Sequence, residues 1–153
     1  MERALQDVMQ VHCFGCGSLN PHGLRIKSYQ AGEDVVCFWK GQPHHSGGFR
    51  DALNGGIIAS IVDCHAMWTA YAAACRAEGV EISATPNYVF VTAALKVNFV
   101  KPVPLAHPVE LRARVAELSG RKAIVRCSVR SAGIECANAE AIGVRVPLPA
   151  GQA

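Results

Sequence analysis

The sequence predicts an α+β domain in which one long central helix packs on an antiparallel sheet. Three observations carry that expectation. A single apolar stretch between residues 56 and 76 has helical period, strand-like runs lie on both sides of it, and short polar or glycine-containing turns join the later runs. One helix laid on one antiparallel sheet is the simplest way to bury the apolar face of each.

Residues 1–23 form an N-terminal segment whose later part, "VHCFGCGSLNPHG", is rich in Gly, Cys, Asn and Pro and reads as an ordered loop. Within it, Cys13-x-x-Cys16 beside His12 invites a zinc or redox reading. A single such pair, with no second pair to complete a tetrahedral set, reads better as a structural turn, and no metal is expected. "LRIKSYQAGEDVVCFWK" reads as two strands joined between Gln30 and Asp34. "GQPHHSGGFRDALNGG" is a long glycine-rich connection of the kind that lines sites.

In the helix, Ile57, Ile61, Cys64, His65, Trp68 and Tyr71 fall on one broad arc, and Ala59, Asp63, Ala66, Met67 and Ala70 on the other. Gly79 is placed to end it. Strand signals follow in "AALKVNFV", "PVELRARVAEL", "KAIVRCSVR" and "IECANAEAIGVRV", with "SGRK" as a turn and a Pro/Gly tail at the end. All 153 residues are expected to form a single domain.

Composition narrows the function. Half the residues are hydrophobic and 18% are charged, which supports a sizeable core and argues against disorder. A formal charge of +3 without a Lys/Arg run suits a small anionic ligand better than nucleic acid. The start of the chain has no apolar signal-peptide core. The longest apolar run is broken by Asp63, His65 and Arg76, short of the roughly 18 uninterrupted residues of a membrane span. Seven cysteines, an odd number in apolar contexts, fit reduced core thiols, so the cytoplasm is the expected compartment.

Asp63 is the anomaly. A carboxylate buried without a partner costs several kcal/mol, so an acid in this run either reaches water or is kept for chemistry. Asn54-Gly55-Gly56 precedes it at the start of the helix, where unsatisfied N–H groups and the helix dipole favour negative charge. The plain alternative for Asn54 is an N-cap, which is compatible with an anion site. His65 points some 200° away from Asp63 around the helix axis and reads as a packing residue.

Four motifs, in this order, resemble the hotdog-fold acyl-CoA thioesterases, in particular the PaaI-like branch: "CFGCGSLNPHGLRI", "NGGIIASIVD", "LKVNFVKPVP" and "VELRARVAELSGRKAIVRCSVR". The resemblance implies a curved antiparallel sheet wrapped around the helix. It also implies an active site between the subunits of a homodimer, and dimers that often pair into tetramers. The family's site resembles His-Gly-Gly followed by a helical acid. Here Asn54 stands in place of the His, Gly55 would supply the N–H that polarises the thioester carbonyl, and Asp63 would be the base or the nucleophile. Coenzyme A enters as part of the substrate, and no separate cofactor is implied.

Gly56, His45, Ser46 and Met67 are further candidates for substrate contact, with Trp68, Tyr71, Phe90 and Phe99 available as pocket walls. Lys101, Arg121 and Lys122, together with Lys96, are candidates for the phosphates of coenzyme A. The alternatives are a hotdog protein that binds acyl-CoA without hydrolysing it and, less well supported, a hotdog dehydratase or hydratase. The dehydratase templates would need a His five residues after Asp63 or fourteen before it, where Trp68 and Phe49 stand.

Overall fold

The computed structural model describes residues 3–148. A short 3₁₀ turn, Leu5–Asp7, leads through the Cys/Gly-rich loop to β1 (Ser28–Ala31) and β2 (Asp34–Trp39). The long connection holds a second 3₁₀ turn, Pro43–His45, and then the central helix α1 runs Gly55–Glu78. Four strands follow: β3 (Tyr88–Phe99), β4 (Val109–Ser119), β5 (Lys122–Ser131) and β6 (Ile134–Pro147). The expected Pro/Gly tail lies outside the described residues beyond Leu148.

The six strands form one antiparallel sheet in the order β1-β2-β4-β5-β6-β3. Period-two alternation decides which face meets the helix. Val109, Leu111 and Ala113 of β4 and Ala123, Val125, Cys127 and Val129 of β5 are buried beneath α1. Arg112, Arg114, Arg126 and Arg130 point to the opposite, polar face. Gly120, at φ 57°, takes the left-handed position that lets β4 turn tightly into β5.

The helix is one turn-fraction longer than expected and starts at Gly55. Asn54 caps it, its Oδ1 accepting from the N–H groups of Gly56 (2.7 Å) and Ile57 (3.3 Å). Gly79 ends it in the left-handed conformation at φ 68°. By length and composition α1 could cross a membrane, yet most of it is buried within this fold. The two arcs read from the sequence merge here: Ile61, Val62, Ala66, Ala70 and Ala74 are all almost fully buried. The sheet covers one side of the helix, and the N-terminal segment covers part of another.

His65 is a packing residue, fully buried, but it is also a hydrogen-bonding one. Its Nε2 lies 3.0 Å from the Val35 carbonyl, which can only accept, so Nε2 carries the proton. Nδ1 then accepts from the Ser28 hydroxyl at 2.8 Å. The Ser28 oxygen accepts from Gln6 Nε2, and Gln6 Oε1 accepts from the Ser28 N–H. Burial pushes the imidazole pKa down to about 4, so the ring is neutral at pH 7. A directional chain thus ties the N-terminal segment to β1, β2 and α1 with every member satisfied.

Candidate functional site

Asp63 sits two turns into α1, half-buried, at the rim of a cavity of about 430 Å³. The walls are mainly apolar and sulfur-bearing, contributed by Met67, Trp68 and Tyr71 of α1, Phe90 and Val91 of β3, and the N-terminal segment. A cavity of this size and composition, with few polar groups, has the character of a small-molecule site. The Thr92 hydroxyl donates to Asp63 Oδ1. Among the described residues no donor meets the other carboxylate oxygen. The carboxylate is therefore oriented by β3 with one oxygen left to act on water or a carbonyl.

The strand that holds Asp63 is irregular at this point. The β3–β6 register steps between Thr92 and Ala94, leaving Ala93 outside the pairing. A bulge of this kind re-aims neighbouring side chains, and here Thr92 is directed to the helix. Gly143 on β6 faces Met67, whose Sδ and Cε would lie 3.0 Å from any added Cβ, so the glycine makes room for this cavity wall.

The start of α1 opens into a second cavity, of about 390 Å³, lined by Phe49, Asn54, Gly55, Phe99, Val100 and Lys101 among others. Of the N–H groups at this helix end, Asn54 Oδ1 takes Gly56 and Ile57, and the Asn54 carbonyl takes Ile58. The Gly55 N–H is left without an acceptor among the described residues. The Asn54 side chain thus reduces a group of exposed donors to one, aimed outward at the positive end of the helix dipole.

The sequence-derived candidates separate into groups. Asp63 and Met67 share one cavity, with Trp68, Tyr71 and Phe90 as its walls. Asn54, Gly55 and Lys101 share the other, with Phe99. Gly56 borders neither: its N–H is engaged by the cap, and its carbonyl accepts from Ser60. His45 and Ser46 also stand outside both cavities. His45 Nδ1 accepts from the Gln42 N–H at 2.9 Å, its ring packs 5.3 Å from that of Trp39, and its carbonyl receives the Asn54 N–H. Burial, with His44 alongside, lowers its imidazole pKa. Ser46 pairs with Leu53 in an isolated bridge that shapes the loop before the helix.

Arg121 and Lys122 lie at the β4–β5 turn, where the Arg121 guanidinium donates to the Arg145 carbonyl. Lys96 lies on the outer face of the sheet. Thr92 is the contact that sequence reasoning missed. It stands in a run of strand-forming residues, and only the broken alternation around Ala93 hints that its side chain is directed differently.

Gly55 and Asp63 do not meet within one chain. Eight residues of helix separate them by about 12 Å along the axis, and they open into different cavities. No single carbonyl can touch both.

Comparison with known proteins gives the chain its relatives. Residues 51–137 match a family described as the thioesterase superfamily. Acyl-coenzyme A thioesterase THEM4 of Bos taurus is 28% identical over 114 residues, covering 74% of this chain and 41% of that protein. This chain therefore spans less than half the length of that relative. Among solved structures, a thioesterase superfamily protein from Shewanella loihica PV-4 is 32% identical with a TM-score of 0.66, covering 84% of this chain and 96% of that one. The PaaI protein of E. coli, from the phenylacetic acid degradation operon, shares the fold at 15% identity, with a TM-score of 0.63 and coverage of 80% and 84%.

Proposed function

Since the chain belongs to the thioesterase superfamily and carries its hotdog fold, we propose that it is an acyl-CoA thioesterase whose active site is completed by a second copy. The observation that carries the reading is Asp63, a carboxylate at the rim of an apolar cavity with one oxygen held by Thr92 and the other free. The activity named for the bovine relative supports the thioester as substrate.

The separation of Gly55 from Asp63 supports the second copy. β3 is a sheet edge of twelve residues, and its outer main-chain groups offer pairing to another strand. Val91 and Phe99, on this strand, are 44% and 57% exposed. Antiparallel pairing of β3 with its copy, about a two-fold between Leu95 and Lys96, sets Phe99 of one chain opposite Thr92 of the other. Phe99 packs by Gly55, and Thr92 holds Asp63. That pairing brings the free Gly55 N–H of one copy towards the carboxylate of the other.

In the reaction, the Gly55 N–H stabilises the oxyanion formed from the thioester carbonyl, assisted by the helix dipole. The Asp63 carboxylate either deprotonates the attacking water or attacks the carbonyl to give an anhydride that water then opens. Both routes release the acid and free coenzyme A thiol. The Asp63 cavity suits a small or medium acyl or aryl group, and Lys101 stands by the Gly55 cavity where a phosphate could be met. Pairing of such dimers into a tetramer and a place in the reducing cytoplasm complete the proposal. The seven free cysteines fit that compartment.

Thiol release from a panel of acyl-CoAs tests the reading, with Asp63→Asn as the comparison and light scattering for the oligomer. Turnover that requires Asp63 in a dimer or tetramer is the expected result. Binding of acyl-CoA without release of thiol would replace the enzyme by a binding protein. A fully active monomer would remove the shared site.

A further inference from the structure

The C-x-x-C turn has a third sulfur beside it. The Sγ atoms of Cys13, Cys16 and Cys64 all lie within 4.8 Å of one another, and those of Cys13 and Cys64 are 3.5 Å apart. Cys64 comes from α1, far along the chain from the other two, so no local spacing announces the cluster. We propose that Cys13, Cys16 and Cys64 form a thiolate site for a zinc-class divalent cation that fastens the N-terminal loop to α1 at the wall of the Asp63 cavity.

The spacing fits that chemistry. Zinc–sulfur bonds of about 2.3 Å at tetrahedral angles put sulfurs about 3.8 Å apart, close to the 3.5 Å between Cys13 and Cys64, and the third sulfur lies within 4.8 Å of both. A disulfide needs about 2.05 Å between two sulfurs and would leave the third without a role. All seven cysteines in the chain are free thiols.

The surroundings are shaped for the same purpose. A Cβ on Gly15 would lie 2.3 Å from Cys64 Sγ, so only glycine lets the turn approach the helix this closely. A Cβ on Gly17 would collide with the turn's own backbone, 2.4 Å from the Cys13 nitrogen and the Val11 oxygen. The Gly17 N–H closes the turn on the Cys13 carbonyl at 2.8 Å. The Trp68 indole N–H points at Cys16 Sγ at 3.4 Å, an outer contact of the kind that orients a ligating sulfur.

A divalent cation bound by the three sulfurs would displace their thiol protons to solvent. Among the described residues no fourth His, Cys, Asp or Glu joins the cluster. The fourth position would therefore belong to water or another small ligand.

The test is read on metal, independently of thioester hydrolysis. The full chain, purified under reducing conditions and stripped with chelator, is titrated with Zn²⁺ against a chromophoric competitor and with Co²⁺ by absorbance. The expected result is one cation per chain and, for Co²⁺, intense sulfur-to-metal charge-transfer bands with the visible bands of tetrahedral geometry. Cys13→Ser, at an exposed position, should weaken binding at least 100-fold, and Gly15→Ala should also weaken it. Cys136→Ser, outside the cluster, should leave it intact. Affinity for Zn²⁺ no greater in the wild type than in Cys13→Ser would overturn the proposal. A Cys13–Cys64 disulfide as the stable form of the protein isolated without reductant would do so too.

Discussion

The Thr92 hydroxyl on β3 donates to the Asp63 carboxylate on α1, so the edge strand of the sheet sets the direction of the acid. Thr92→Val keeps the shape of the side chain and removes the donor. The expected outcome is a drop of about 10- to 100-fold in kcat/KM, the scale on which a misdirected catalytic group loses rate. Thr92→Ser should retain most of the activity. A thiol-release assay on purified variants checks both, and an unchanged rate in Thr92→Val would make the contact incidental.

Gly55 allows its N–H to be removed with little other change. Proline is well accepted at the first residue of a helix, where its missing N–H has no helical partner. Asn54 before it already has φ −61° and ψ 134°, the extended conformation that proline requires of its predecessor. Gly55→Pro should therefore leave the thermal midpoint nearly unchanged while lowering kcat by about 10²–10³, the loss typical of one oxyanion donor. Co-expression of Gly55→Pro with Asp63→Asn should restore part of the activity, because a mixed dimer keeps one intact site of the two. No recovery in a verified mixed dimer would place both groups in one chain's own site.

The sequence patterns carried the architecture because alternation in β4 and β5 is broken only at Ala116 between Val109 and Ser131, and most inward residues, Leu111 apart, are small or β-branched. Asn54 and Gly79 likewise marked the helix ends through chemistry that is local in the chain. β3 was legible only from Ala93 onward, because the bulge there interrupts the period just where Thr92 turns to Asp63. The sulfur cluster could not be read, since Cys64 approaches Cys13 only once the loop folds back over α1. The separation of Gly55 from Asp63 was implicit in their spacing, but its consequence depended on seeing two cavities. The polar contacts of His45 depended on a loop conformation that no pattern specifies, whereas the engagement of the Gly56 N–H follows from the Asn54 cap.

The Gln6–Ser28–His65 chain predicts a large stability effect from one hydroxyl. Ser28→Ala leaves His65 Nδ1 without its donor and Gln6 Nε2 without its acceptor, both in the core, while the Ser28 N–H keeps its bond to Gln6 Oε1. An unpaired buried polar group costs roughly 1–3 kcal/mol, so chemical denaturation should show a loss of that size with little change in the denaturant slope. Gln6→Ala should cost less, because His65 keeps both of its partners. Equal losses for the two variants would mean that Ser28 contributes through packing alone.

Asp34 gives a pH dependence of defined sign. Arg114, then Arg112, bond its carboxylate on the polar face of the sheet and hold its pKa below the ordinary carboxyl value. A carboxyl whose folded pKa is lowered binds fewer protons in the folded state. Its stabilisation is therefore complete above the unfolded value of about 4 and is lost as pH falls through the folded pKa. Asp34→Asn removes this contribution at every pH. Because the arginines are largely exposed, the effect is small: a midpoint roughly 1–3 °C lower for the variant at pH 7, shrinking with added salt. Thermal melts of the two proteins from pH 7 down to pH 2 should converge below about pH 4, and a difference that persisted or grew in acid would show that Asp34 acts through something other than its charge.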